Sequence, residues 1–196
     1  MSVENGSEVA LMIVRYSTEA FEAIAQLPEN ADRLLELIGG EIVEVVSNPK
    51  SSEIAMRIGF FIQLHLRQHK IRGHVTGADG GYMVAGERYI PDVAYLSTAR
   101  QPDLPSMQGY NPIAPDLAVE VLSPTNADDK MRIKIAHYLL AGTIVWVVNP
   151  DNQTVETYIP GERVRIIDRD GLLDGGTVLP GFSLPVQEIF QTEEDQ

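Results

Sequence analysis

The stretch that decides the fold holds two short apolar runs, Tyr89-Ile90-Pro91-Asp92-Val93-Ala94-Tyr95-Leu96 and Pro115-Asp116-Leu117-Ala118-Val119-Glu120-Val121-Leu122-Ser123-Pro124, followed by a helix-forming segment that carries Lys130 and Lys134. Each run reads as a strand, and each delivers a carboxylate. Glu120 is the anomaly, because acidic side chains are almost never buried in a run of Leu, Ala and Val unless they are paired or bind a metal. Side chains alternate across a strand, so Glu120 shares a face with Ala118 and Leu122 while Leu117, Val119 and Val121 point the other way. If the two runs pair, Asp92 and Glu120 converge on one point.

Working outward, the spacing predicts a short helix capped by Ser17 or Thr18, then strands Arg33 to Ile38 and Glu41 to Val46. These are joined by Gly39-Gly40, a pair suited to a primed two-residue turn. A first long helix is expected from Ser51 to about His69, capped by Ser51 or Ser52 and closed by Gly73. Strands follow at His74 to Thr76 and Tyr82 to Val84, with a turn at Gly86-Glu87. The Pro- and Gly-rich loop from Ser97 to Pro115 is longer than most connections, and Tyr110 within it could stack on a base. Asn126 is expected to cap the second long helix and Gly142 to end it. Strands Thr143 to Val148 and Thr154 to Tyr158 then form a hairpin. The order implies a mixed α+β fold around one central sheet with additional hairpins. A single domain is expected over residues 16–190, with a flexible segment at 1–15 and an acidic tail at 191–196.

The chain has 196 residues, no Cys and a formal net charge of -13. The lack of Cys excludes a disulfide scaffold or a thiolate metal site and fits a cytoplasmic setting. No signal-peptide pattern and no membrane-spanning apolar run is present. The charge argues against a protein that coats nucleic acid with its whole surface. Its distribution is uneven: between Lys50 and His74 stand Lys50, Arg57, Arg67, Lys70 and Arg72 with three His, against the single acid Glu53.

Two hard oxygen ligands, completed by water and a substrate phosphate, suit Mg²⁺. Hydrolysis also needs a cationic group, and Lys130 and Lys134 lie one helical turn apart on one face, from which one of them can reach the sheet end. Other chemistries find no support. There is no Gly-x-Ser-x-Gly elbow, no Walker or dinucleotide glycine pattern, and the His65/His69 pair lacks the Glu of a helical zinc motif. Asp116 reads as a strand-start acid, and Tyr95, Tyr138 and Trp146 read as core.

The blocks Glu36-Leu-Ile-Gly-Gly-Glu41, Ile90-Pro-Asp92-Val-Ala-Tyr-Leu, Pro115-Asp-Leu-Ala-Val-Glu120-Val-Leu-Ser-Pro124, Lys134-Ile-Ala-His-Tyr138, Ala141-Gly-Thr-Ile-Val-Trp146-Val-Val-Asn-Pro150 and Leu179-Pro-Gly-Phe-Ser-Leu-Pro185 resemble the Uma-type restriction endonucleases of the PD-(D/E)XK nuclease superfamily. The resemblance runs from about Tyr16 to Phe190. It implies a restriction-endonuclease-like core and Mg²⁺-dependent hydrolysis of DNA, with Mn²⁺ as a substitute, by a homodimer. It assigns Asp92 and Glu120 to the metal and Glu41 as a further acid of the site. The superfamily's usual lysine, two residues after Glu120, is Leu122 here, which makes Lys134 on the next helix its counterpart. Ser51 stands where many relatives carry a His before the first long helix. The alternative expectation is a nuclease-like fold without catalysis, reused as a binding or assembly module.

Overall fold

The computed structural model describes residues 14–46, 48–105, 109–123 and 128–191. Its centre is a six-stranded mixed sheet in the order β10-β9-β8-β7-β6-β3, comprising β3 (Gly73–Gly77), β6 (Val93–Ser97), β7 (Leu117–Val121), β8 (Ile144–Asn149), β9 (Thr154–Tyr158) and β10 (Arg165–Ile167). A four-stranded antiparallel sheet, β2-β1-β5-β4, is formed by β1 (Leu35–Ile38), β2 (Glu41–Glu44), β4 (Tyr82–Val84) and β5 (Glu87–Tyr89). A small hairpin pairs β11 (Leu172–Asp174) with β12 (Ser183–Pro185). The helices are α1 (Thr18–Ala25), α2 (Pro49–His69), α3 (Asp128–Leu140) and α4 (Gln187–Phe190). Among the described residues, no helix is long and apolar enough to cross a membrane.

The alternation expected in the Leu117–Val121 run sorts the core. Leu117, Val119 and Val121 face α2, where Ile54, Ile58, Ile62 and Leu66 form a buried stripe at helical spacing. Ala118 faces the other way, with Ala94 directly opposite it in register. These two small residues share a cluster with the bulky Tyr82, Tyr89 and Tyr138, so large rings fill the space that short side chains leave. Strands β7 and β8 are parallel, and α3 lies between them in the chain, as a crossover requires.

Several local signals read differently in three dimensions. Gly39 and Gly40 both have positive φ, as the primed turn demands. The β4–β5 turn is Ala85-Gly86 rather than Gly86-Glu87, because Val84 pairs with Glu87. The N-cap of α2 is Asn48, whose side chain accepts from the Ser51 amide at 3.0 Å with Pro49 in the first turn; Ser51 itself lies inside the helix. Gly73 does not close α2. Lys70 does so in a left-handed conformation, and Gly73 is glycine for another reason: a Cβ there would stand 2.4 Å from the Tyr95 ring. The cap expected at Asn126 lies outside the described residues, as do residues 1–13 and 192–196.

The run Tyr89 to Leu96 is not one strand. Tyr89 ends β5 in the four-stranded sheet and Val93 begins β6 in the six-stranded sheet, with Ile90-Pro91-Asp92 as the corner between them. Proline has no amide to donate and holds its predecessor extended, so it suits a chain that leaves one ladder and enters another.

Candidate active site at the corner between two sheets

Changing sheets frees backbone groups, and buried amides need partners. The Ile90 amide donates to Glu36 Oε1 at 2.6 Å, from the neighbouring strand β1. Two residues on, Asp92 Oδ2 accepts from the Val121 amide at 2.7 Å. The register Val93↔Val119, continued one step, sets Asp92 opposite Glu120. The two carboxylates therefore flank the same sheet end.

Glu120 is 4 % exposed and its partners come from α3. Lys134 Nζ lies 2.8 Å from its carboxylate, and the Tyr138 hydroxyl donates to Glu120 Oε1 at 3.0 Å. Lys134 and Tyr138 are one helical turn apart, so the same face of α3 supplies both donors. The ammonium also donates to Glu36 Oε1 at 2.9 Å and sits 5.5 Å from the centre of the Tyr89 ring. These groups border a cavity of about 330 Å³, whose wall includes Ser51 near the start of α2 and Lys130.

Burial sets the protonation states. Desolvation raises the pKa of Glu120 to about 8, against the pull of Lys134 and with help from the nearby Glu36 and Asp92 charges. Asp92 is raised too, by burial first, with the Val121 amide and Lys134 opposing. Lys134 moves upward: burial works against its charge, but Glu120 and Glu36 together overcome that. The Tyr138 phenol is pushed well above its usual value by burial and the adjacent carboxylates. Lys134 and Tyr138 thus hold their protons near neutral pH.

The structure brings Asp92, Glu120 and Lys134 to one cavity. Glu41 does not line it; its carboxylate reaches Lys130 at 3.0 Å, and Lys130 lines the wall. The second acid bonded directly to Lys134, beside Glu120, is Glu36, to which the sequence assigns no role. The signal that marked Glu120 was present there as well, an acid among Leu35, Leu37 and Ile38 on a strand buried along its length. Tyr138, read only as core, is core and also a ligand of Glu120.

Other candidates are absorbed by packing. The Tyr110 hydroxyl donates to the Leu35 carbonyl, its ring packs edge-on to Phe21, and a Cβ at Gly81 would be 2.5 Å from it, so it is not available to stack on a base. His65 is buried with Nε2 at 3.1 Å from the Pro180 carbonyl, and His69 Nδ1 is 3.0 Å from the His65 carbonyl. Asp116 accepts from the Ser97 amide at 2.7 Å and pairs with Arg100, as a strand-start acid should.

Fold and site together define a mixed α+β protein with a buried carboxylate–lysine centre at a sheet end. The chain belongs to the Uma2 family, described as "Putative restriction endonuclease", which matches residues 19–187. It is similar to a crystal structure described as a putative nuclease belonging to DUF820 from Anabaena variabilis ATCC 29413, with 25% identity and a TM-score of 0.74, over 89% of this chain and 97% of that one. No curated protein matches the chain.

Proposed function

We propose that this chain is a Mg²⁺-dependent endonuclease that hydrolyses DNA phosphodiester bonds through a PD-(D/E)XK-type site, with Mn²⁺ as a substitute metal. The observation that carries the reading is a charge count. Three acids, Glu36, Asp92 and Glu120, meet the ammonium of Lys134, which would leave two negative charges in surplus if all three were ionised. A divalent cation balances that surplus; without one, burial raises the Asp92 and Glu120 values, and the neighbouring acid charges add to the rise.

The donor set fits such an ion. Among the described residues no three His, Asp or Glu side chains form a closed cage, and Mg²⁺ favours an open site of one or two carboxylates completed by water and substrate phosphate. Asp92 and Glu120 would hold it, where it would neutralise charge on the scissile phosphate. Lys134, fixed between Glu120 and Glu36, keeps its proton. It therefore serves as a preorganised cation and hydrogen-bond donor toward the attacking water or the phosphate, not as a base. Tyr138 fixes the Glu120 carboxylate. Glu41 acts on the cavity through Lys130. Pairing of two copies would let one assembly cut both strands in a cytoplasmic setting.

Asp92→Ala and Glu120→Ala should each abolish divalent-metal-dependent DNA cleavage while the fold is kept, measured by nicking of plasmid DNA and by circular dichroism. Equal cleavage by wild type and both variants sinks the assignment. The net charge of -13 favours a second reading, a binding or assembly module without turnover. Calorimetry separates the two: the module takes up neither Mg²⁺ nor Mn²⁺, and Glu120→Gln makes it more stable.

A further inference from the structure

The exposed face of α2 ends in a second concavity, an open groove of about 440 Å³ that nothing in the site above uses. Its floor and one wall come from the last turn of α2 and the turn into β3, with Arg67, Lys70, Arg72 and His74 in its lining. Thr98, Pro102 and Asp103, from the start of the long loop after β6, form the other wall. Asp103 is the one acid among the residues lining it.

Three features set this groove apart on a chain of net charge -13. First, Arg67, Lys70 and Arg72 are exposed, and among the described residues none of the three enters an ion pair. The two other basic residues of the Lys50 to Arg72 stretch lie outside the groove, and one of them, Arg57, is tied to Glu53 and the Ile189 carbonyl. Second, Lys70 occupies the left-handed cap of α2 at φ 55, a position where Gly or Asn is favoured and other side chains are strained by about 1 kcal/mol. Third, the Arg72 carbonyl is held by the Thr98 hydroxyl at 3.3 Å, which fixes the backbone while leaving the guanidinium unpaired. The helix dipole favours cations in its last turn and can account for Arg67. It does not account for Arg72 beyond the helix, nor for a lysine kept where glycine would relax the backbone.

We infer that the Arg67, Lys70 and Arg72 groove is a phosphate-backbone anchor for duplex DNA, separate from the acidic cavity. It rests on the DNA-directed reading above and gives an acidic protein a local surface on which phosphates are welcome. Cations spaced along a groove and free of internal partners are what counterion-releasing contacts require, whereas paired ones would have to break a bond first. The groove and the cavity touch opposite ends of α2. Ser51 and Arg67 are separated by about 24 Å of helix at about 1.5 Å per residue, so the anchor holds DNA well away from the bond to be cut.

The test uses the full chain and a fluorescently labelled duplex of about 20 base pairs, with metal chelated so that no cleavage occurs and salt varied from about 50 to 200 mM. The Arg67→Ala/Lys70→Ala/Arg72→Ala variant should bind at least about tenfold more weakly at low salt, and its plot of log affinity against log salt should be shallower by about 2 to 3. Lys70→Gly alone should weaken binding severalfold while its melting temperature rises, a combination that a merely structural role does not give. Unchanged affinity and slope in the triple variant overturn the anchor, as does a wild type that binds no duplex at low salt. An acidic protein partner in place of DNA would show itself in that first way. Loss of affinity in the triple variant alongside a wild type that never cuts DNA leaves the anchor standing and removes the endonuclease reading.

Discussion

The two ends of α2 handle charge in opposite ways. At its N-terminal end lies a cavity where Glu36, Glu120 and Lys134 are buried, Asp92 is half-buried, and every one of them has a hydrogen-bonded partner. At its C-terminal end lies an open groove where, among the described residues, the side chains of Arg67, Lys70 and Arg72 have none. Burial explains the contrast, since an unpaired charge in a dry interior costs several kcal/mol and one in water costs nothing. Buried charges held in place can act on a bond, because fixed dipoles there need not reorganise. Exposed ones can attract a partner, because they stay free until it arrives.

The sharpest way to break this comparison is a double dissociation. Asp92→Ala and Glu120→Ala should lower cleavage by at least about a hundredfold and leave duplex affinity in chelator within a factor of about two. The groove variant should do the reverse at the level of binding. A loss of affinity in Asp92→Ala equal to that of the groove variant would mean that the two ends form one surface, and the contrast would fail.

The next effect is on stability. Lys134→Met removes the one cation between Glu36 and Glu120 and leaves two buried acids without the partner they share, which should destabilise the protein by about 3–5 kcal/mol near neutral pH. Urea unfolding measures it. Lys70→Met, its counterpart in the groove, should change stability by no more than about 0.5 kcal/mol. Similar losses in both would show that Lys134 is not held as the distances imply.

A pH series sharpens the same point. The folded pKa of Glu120, about 8, stands above the ordinary carboxylate value of 4.5. Stability from this group is therefore fully present below about pH 4.5 and is lost as pH rises toward 8. The melting temperature of the metal-free protein should fall by several degrees between about pH 5 and 8, and Mg²⁺ should restore more of it at pH 8 than at pH 6. Glu120→Gln should flatten the profile. A flat profile in the wild type would mean that the acid surplus at the cavity is already balanced.

How much of this was legible in the sequence follows from the same physics. Glu120 stood out because a carboxylate in an apolar strand has few explanations, and strand alternation gave its face. The pairing that sets Asp92 opposite it follows from two runs of similar kind. Glu36 carries the same signal, but the Gly39-Gly40 turn marks Arg33 to Ile38 only as one arm of a hairpin; the contacts of β1 with both α1 and α3 show that its carboxylate is buried. The sheet change at Pro91 was hidden because residues on either side of the corner both favour strands. The sequence offers Ser51 or Ser52 as the α2 cap with Asn48 equally able, and the choice is decided by where Pro49 begins the helix. The groove was visible only as a count of basic residues, since exposure and the left-handed Lys70 are properties of the fold.

The smallest expected effect concerns Glu41, which the family resemblance places in the site and the geometry places at its rim. Its carboxylate is 37 % exposed and bonds Lys130 rather than Lys134. A half-exposed pair of this kind contributes about 1 kcal/mol or less to stability. Glu41→Gln should therefore leave urea stability almost unchanged and lower cleavage by about tenfold at most, through a freed Lys130 that can turn toward the cavity. Lys130→Ala should give an effect of the same size, and the double variant should be no worse than either single one, because both act through one contact. If Glu41→Gln instead matches Asp92→Ala in activity, Glu41 works directly on substrate or metal, the working site extends from the buried corner to the β1–β2 turn, and the boundary drawn here between an enclosed acidic end and its solvated surroundings moves outward.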